Sequence, residues 1–226
     1  KHKKPTLTKK QRHRLRVQQV RRQKIFLTCL FLLIVGCILL RFSKFSGRQE
    51  EAHQINAACE AYRDEVSSEA AQYDMSDYVD LILAVMMQES SGQGTDPMQS
   101  SEGAYNTRYP QQPNGITDPS YSISCGIQEL KYALDKAGCT GPTDLSKIRL
   151  ALQAYNFGAD SYFAYLEENG QTVWTAQSAQ AFAQMASGNT QRDEDDPLHD
   201  PAGPWDYGDQ YYPDHVLRYY HLDNNS

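Results

Sequence analysis

Residues 76–92 read SDYVDLILAVMMQESSG, and the fold turns on them. Val79, Ile82, Leu83 and Met86 recur at helical spacing and form one apolar stripe. Ser76 is the type of residue that caps a helix start, and Gly92 the type that stops one. The spacing therefore predicts a helix whose stripe packs into a core. Glu89 breaks the pattern. It lies seven residues after Ile82 and three after Met86, so it projects from the core-facing side. It also sits in the last turn, where the helix dipole disfavours a negative charge. Burial and dipole both favour the protonated carboxyl. Folding gains nothing from this, whereas a general acid working near neutral pH requires it. On spacing alone, Glu89 could also swing out to solvent or pair with a buried arginine.

Before this segment, Asn56 to Ala71 reads as an earlier helix. Residues 93–117 are rich in Gly, Gln, Ser, Asn and Pro and read as loop. Asp118-Pro119 opens a helix over 119–136 with the stripe Ile123, Ile127, Leu130, Leu134, ended by Gly138. Asp144 caps a helix bearing Leu145, Ile148, Leu152 and Tyr155, stopped by Gly158. A short helix runs to Gly170, and another from about Thr175 through Phe182 and Met185 to Gly188. Residues 188–210 are acidic and full of Pro and Gly, hence a long surface loop. Pro213 opens a last helix with Val216, Leu217 and Tyr220. Strand signals are weak throughout, so the fold class is all-α. No internal repeat and no phosphate-cradling glycine loop is present.

Charge divides the chain. Residues 1–48 carry 14 Lys and Arg and no Asp or Glu, leaving 22 − 14 = 8 basic and 28 acidic residues beyond them. That acidic body has nothing to neutralise phosphates, so nucleic acid is excluded as its main partner. Ile25 to Leu40 is an uncharged apolar run of sixteen residues. It falls short of the roughly 20 that span a bilayer, but Arg41 and Lys44 can snorkel and Phe42 and Phe45 can sit at the interface. A cleaved signal peptide fits poorly, because Arg41-Phe42-Ser43-Lys44 offers no small-residue cleavage site. The eleven basic residues before the run place that side in the cytoplasm. The organisation expected is a basic cytoplasmic arm at 1–24, a single transmembrane signal-anchor at 25–45, a linker at 46–54 and an extracellular domain at 55–226 with its core at 75–222. The protein would be a single-pass membrane protein with its C-terminal domain outside the cell.

Cys29 and Cys37 lie in the apolar run, and Cys59, Cys125 and Cys139 beyond it. A helix over 119–136 puts Cys125 roughly 16 Å from that helix's end, at about 1.5 Å per residue. A disulfide needs Cα atoms within about 7 Å, so Cys125 and Cys139 are not expected to pair. There is no CxxC and no clustered His, and neither metal nor cofactor is expected.

The stretch VDLILAVMMQESSGQGTDPMQSSEGAYN (79–106) resembles the catalytic segment of the lysozyme and lytic transglycosylase superfamily. It is most similar to the muramidase domain of bifunctional cell-wall hydrolases carried on Gram-positive conjugative transposons. Glu89-Ser90 matches the family's Glu-Ser. Met98-Gln99 matches the end of Gly-Leu-Met-Gln, with Asp96-Pro97 in place of Gly-Leu. ISCGIQEL (123–130) is similar to the helix that follows in the family. Ala154-Tyr155-Asn156-Phe157-Gly158 matches Ala-Tyr-Asn-Ala-Gly with one change. YYPDHVLRYY (211–220) resembles the closing helix.

The resemblance implies a lysozyme-like domain that cleaves the β-1,4 bond between N-acetylmuramic acid and N-acetylglucosamine in peptidoglycan. Glu89 would be the acid. Gln99 would bond the sugar or a water, Tyr155 and Asn156 would line the floor, and Tyr212 would approach the Glu89 carboxyl. On pattern alone Tyr155 could be core and Asn156 part of a helix stop. Asp96, Glu102 and Asp118 are candidate second carboxylates for hydrolysis, with Asp118 also readable as a helix cap. Two alternatives stand beside muramidase action: a lytic transglycosylase, in which the sugar's own 6-hydroxyl attacks, and a non-catalytic glycan-binding scaffold. The transposon link implies local wall opening for a conjugative type IV secretion system, whose components would be partners.

Overall fold

The computed structural model describes residues 53–196 and 199–222. The basic arm, the apolar run and the linker up to residue 52 lie outside the described residues. Among those described, no helix is long and apolar enough to cross a membrane.

The described body is helical. α1 (Ala57–Glu60) and α2 (Arg63–Gln72) come first. A 3₁₀ turn at Ser76–Tyr78 leads into α3 (Val79–Ser90). Then follow α4 (Pro119–Ala137), α5 (Leu145–Phe157), α6 (Ala159–Glu168), α7 (Ala176–Ala186) and α8 (Tyr212–Leu217). The only β pairing among the described residues is an isolated bridge between Gln191 and Trp205. This agrees with the all-α expectation.

α3 is the axis. Leu81, Ile82, Leu83, Ala84, Val85 and Met86 are all fully buried, so this stretch is apolar all round rather than striped. Each large side chain buried there contributes about 1.5–3 kcal/mol. α2 and α8 pack on α3, while α5 packs on α4, α6 and α8. The polar end of α3, Gln88 to Ser90, is where this buried rod reaches solvent.

Several boundaries differ from the sequence reading. The helix expected over 56–71 is broken at Ala61–Tyr62, with the Asn56 side chain capping α1 through the Cys59 N–H at 2.8 Å. Ser76 starts the 3₁₀ turn rather than capping α3, which has no side-chain cap. α3 ends at Ser91 in the left-handed region (φ 56°), one residue before Gly92. Gly92 serves close packing instead: a β-carbon there would meet the Cys59 nitrogen at 2.8 Å. Leu145 and Met185, expected on apolar faces, are exposed.

Other signals hold. Asp118 caps α4 through the Tyr121 N–H with Pro119 at its first turn, and Gly138 (φ 71°) ends it. Asp144 caps α5 through the Lys147 N–H. Cys59, Cys125 and Cys139 are free thiols.

Candidate active site

Glu89 emerges half-buried from the C-terminal turn of α3. Its carboxyl lines a cavity of about 620 Å³ together with Gln99, Glu129, Tyr155 and Asn156. Tyr212, buried at the start of α8, donates its hydroxyl hydrogen to Glu89 Oε1. Burial is the main influence on the Glu89 carboxyl and pushes it up to about 7. The Tyr212 hydrogen bond opposes that push, and the charges of Asp209, Asp96 and Glu129 add to it. Burial and then the Glu89 charge hold the Tyr212 phenol far above its ordinary value, so it remains a donor.

α5 ends beneath this carboxyl. Tyr155 donates to the Met98 carbonyl at 2.9 Å, and its ring stacks on Tyr212 with centroids 6.3 Å apart. Asn156 Oδ1 accepts the Asp209 N–H at 2.7 Å, which ties α5 to the segment before α8. Asn156 is thus more than a helix stop, although Gly158 (φ 84°) does end the helix. The structure brings Glu89, Gln99, Tyr155, Asn156 and Tyr212 to one place.

The loop between α3 and α4 is organised by Asp96, which is almost fully buried. Its carboxylate accepts from the Ser100 N–H at 3.0 Å, the Ser101 N–H at 3.2 Å, the Ser122 hydroxyl at 2.6 Å and the Ser101 hydroxyl. Ser90 adds a bond to the Pro97 carbonyl at 2.8 Å, which gives the Glu-Ser pair a physical reason: one residue faces the cavity and the next pins the loop. Gly126 on α4 lets the loop close in, since a β-carbon there would meet Met98 Cβ at 2.6 Å. Gln99 sits exposed at φ 48°, with its amide nitrogen bonded to the Asp96 carbonyl at 2.9 Å and to Asn114 Oδ1 at 3.1 Å. Asp96 therefore occupies a brace behind the cavity wall, and Asp118 remains at the α4 cap. Neither lines the cavity, while Glu102 does.

Glu129 was not legible from spacing. It follows Ile127 and precedes Leu130 on α4, where a charged residue reads as the solvent side of the helix. In the fold it is half-buried and lines the same cavity as Glu89. Burial pushes it up to about 7, against a hydrogen bond from the Ala104 N–H. The available signal was Gly103, where a β-carbon would fall on the Glu129 carboxylate.

A second cavity, of about 540 Å³, adjoins Glu89 and is lined by Arg192, His199, Asp209, His215 and Arg218 among others. The Asp209–His215 pair closes at 2.5 Å and raises the His215 imidazole above its ordinary value. The acidic loop expected over 188–210 thus reaches the site. Gln210 at its end is buried and bonded to the Trp205 and Tyr207 carbonyls.

Comparison with known proteins identifies the family. The lysozyme-like family profile matches residues 57–220. The bifunctional muramidase/DL-endopeptidase CwlT of Bacillus subtilis (strain 168) is 36% identical over 173 residues, which is 76% of this chain and 43% of CwlT. Pneumococcal vaccine antigen A of Streptococcus pneumoniae serotype 4 is 31% identical over 62% of this chain and 65% of its own length. A crystal structure from Staphylococcus aureus subsp. aureus Mu50, described as similar to a lipoprotein of the NLP/P60 family, superposes with TM-score 0.62 at 27% identity, over 76% of this chain and 56% of that one. The chain thus spans less than half the length of CwlT. With its helical body and the Glu89 cleft inside the matched region, the chain belongs to the lysozyme-like family.

Proposed function

We propose that the chain is a peptidoglycan glycosidase, an N-acetylmuramidase that hydrolyses the β-1,4 bond between N-acetylmuramic acid and N-acetylglucosamine. The observation that carries this reading is the Glu89 carboxyl: at the mouth of a buried helix, held by Tyr212, and pushed to about 7 in an open cavity. A carboxyl poised there donates a proton to a glycosidic oxygen near neutral pH. The muramidase activity in the name of CwlT supports the substrate class.

In this reading Glu89 protonates the leaving oxygen as the ring gains oxocarbenium character. The amide nitrogen of Gln99 is spent on the loop, so its amide oxygen receives a sugar hydroxyl. Tyr155 and Asn156 form the floor. Asp96 acts as a positioning residue that sets the loop carrying Gln99. A lytic transglycosylase would need no carboxylate besides Glu89, and the further carboxylates lining the cavity, Glu102 and Glu129 among them, favour hydrolysis. A glycan-binding scaffold would have no use for a carboxyl raised to about 7 in an open cavity.

The reading extends to location. The signal-anchor at 25–45 holds the enzyme in the cell membrane with residues 55–226 outside, where an acidic enzyme is kept beside an anionic polymer that would not attract it. Local wall opening for a conjugative type IV secretion system is the role proposed there, on the resemblance of residues 79–106 to transposon-borne hydrolases. Incubating purified peptidoglycan with the full chain in detergent tests the activity. Released muropeptides with N-acetylmuramic acid reducing ends support it, and no release contradicts it. Loss of the chain from the membrane fraction on deleting residues 25–45 tests the anchor.

A further inference from the structure

Glu89 supplies one proton, and hydrolysis needs a second group to receive one. We propose that Glu129 is that group: the general base that takes a proton from the water attacking the anomeric carbon. This inference rests on the hydrolytic reading above and adds its second catalytic residue.

Four observations carry it. Glu129 lines the same cavity as Glu89, and it comes from a different helix, α4 rather than α3. Both carboxylates act electrostatically on the Tyr155 phenol, so the floor residue lies within range of each. The Glu129 carboxylate is positioned, because the Ala104 N–H donates to it and Gly103 leaves the space it fills. No ion pair among the described residues consumes it, unlike Asp160, which also lines the cavity but is bound by Lys136 and Tyr132.

The other candidates are less suited. Asp96 has four donors on its carboxylate and does not line the cavity. Asp118 caps α4. Glu102 lines the cavity but is exposed. Burial also pushes Glu129 up to about 7, so its basicity suits a reaction near neutrality.

The step balances. The water oxygen bonds to the anomeric carbon and gives one proton to Glu129. The bond from that carbon to the bridging oxygen breaks, and the oxygen takes the Glu89 proton. Products leave, and solvent returns a proton from Glu129 to Glu89. One water is consumed and no redox partner is needed.

The test uses the full chain in detergent on purified peptidoglycan, with products identified by mass. E129Q is expected to lose at least about 100-fold in hydrolytic rate, the usual range for removing a general base. A shift of its residual products to 1,6-anhydro ends would also support the proposal. In E129A, azide should restore turnover and yield a glycosyl azide, because a small anion can enter the space and attack without a base. G103A, which keeps the carboxylate but displaces it, should fall with E129Q while retaining the fold by circular dichroism.

E129Q and E129A working at the wild-type rate with reducing-end products would overturn the assignment. So would a folded, inactive E129A that azide does not rescue, which marks a structural role. Wild-type release of only 1,6-anhydro products would overturn both Glu129 and hydrolysis while leaving Glu89 as acid. No wild-type release would overturn the muramidase reading itself.

Discussion

Tyr212 donates a hydrogen bond to Glu89 Oε1, joining residues 123 positions apart in the chain. The contact explains why α8, a helix of only six residues, closes against α3. Tyr212 stacks on Tyr155 on one side and holds one carboxyl oxygen on the other, so the second oxygen is left to carry and deliver the proton.

Y212F keeps the packing and removes the donor. The bond lowers the proton affinity of Glu89, so its loss raises it. A hydrogen bond to a charged group is worth about 1.5–3 kcal/mol, so the alkaline limb of the pH–rate profile should move up by about one unit or more. The rate near pH 7 should fall roughly tenfold, since the proton is less readily released and the carboxyl less well aimed. A pH–rate profile checks this, and an unmoved alkaline limb would count against it.

Glu89 should also cost stability. Its folded-state proton affinity lies above the ordinary 4.5, near 7. Between those values the folded chain binds more protons than the unfolded one, so stability falls as pH rises through that window. E89Q carries no charge and avoids the loss. At pH 8 it should be more stable than wild type by on the order of 1–3 kcal/mol, and at pH 5 about equal. Thermal melts at the two pH values decide the matter.

D96N should damage both fold and activity. It trades a charged acceptor for an amide that cannot accept from four donors. A loss of about 2–4 kcal/mol is expected, with a drop in kcat as the loop bearing Gln99 loosens. S122A removes one of those bonds and the Met98 N–H contact at 3.1 Å, so it should cost less. Melts and turnover of the two variants, side by side, test the ordering.

G126A probes the same loop from α4. Its β-carbon would meet Met98 Cβ at 2.6 Å, so the loop must shift. About 1–3 kcal/mol of destabilisation is expected, with turnover reduced more than glycan binding. Unchanged kinetics would mean that the loop's position does not govern the site.

The periodicity of α4 and α5 and their Asp caps was legible because local chemistry alone sets it. So was the anomaly of Glu89, a charge set at the end of an apolar run. Glu129 was hidden because its burial comes from a loop that folds over it, and no spacing rule within α4 encodes that. Asp96 is a candidate second carboxylate on sequence because it lies seven residues after Glu89 in a loop able to fold back over the cleft; in the fold it turns inward instead. Its four donors come from residues as far away as Ser122. The break between α1 and α2 was likewise missed, since residues 56–71 contain neither Pro nor Gly to mark it.

Glu89 is proposed as the acid that cleaves glycan strands. The most direct measurement is muropeptide release from purified peptidoglycan by the full chain, wild type beside E89Q, with products identified by mass. The wild type should release fragments with N-acetylmuramic acid reducing ends, and a folded E89Q should release them at least about 1,000-fold more slowly, the cost of removing an essential acid. Equal release by both proteins would contradict it.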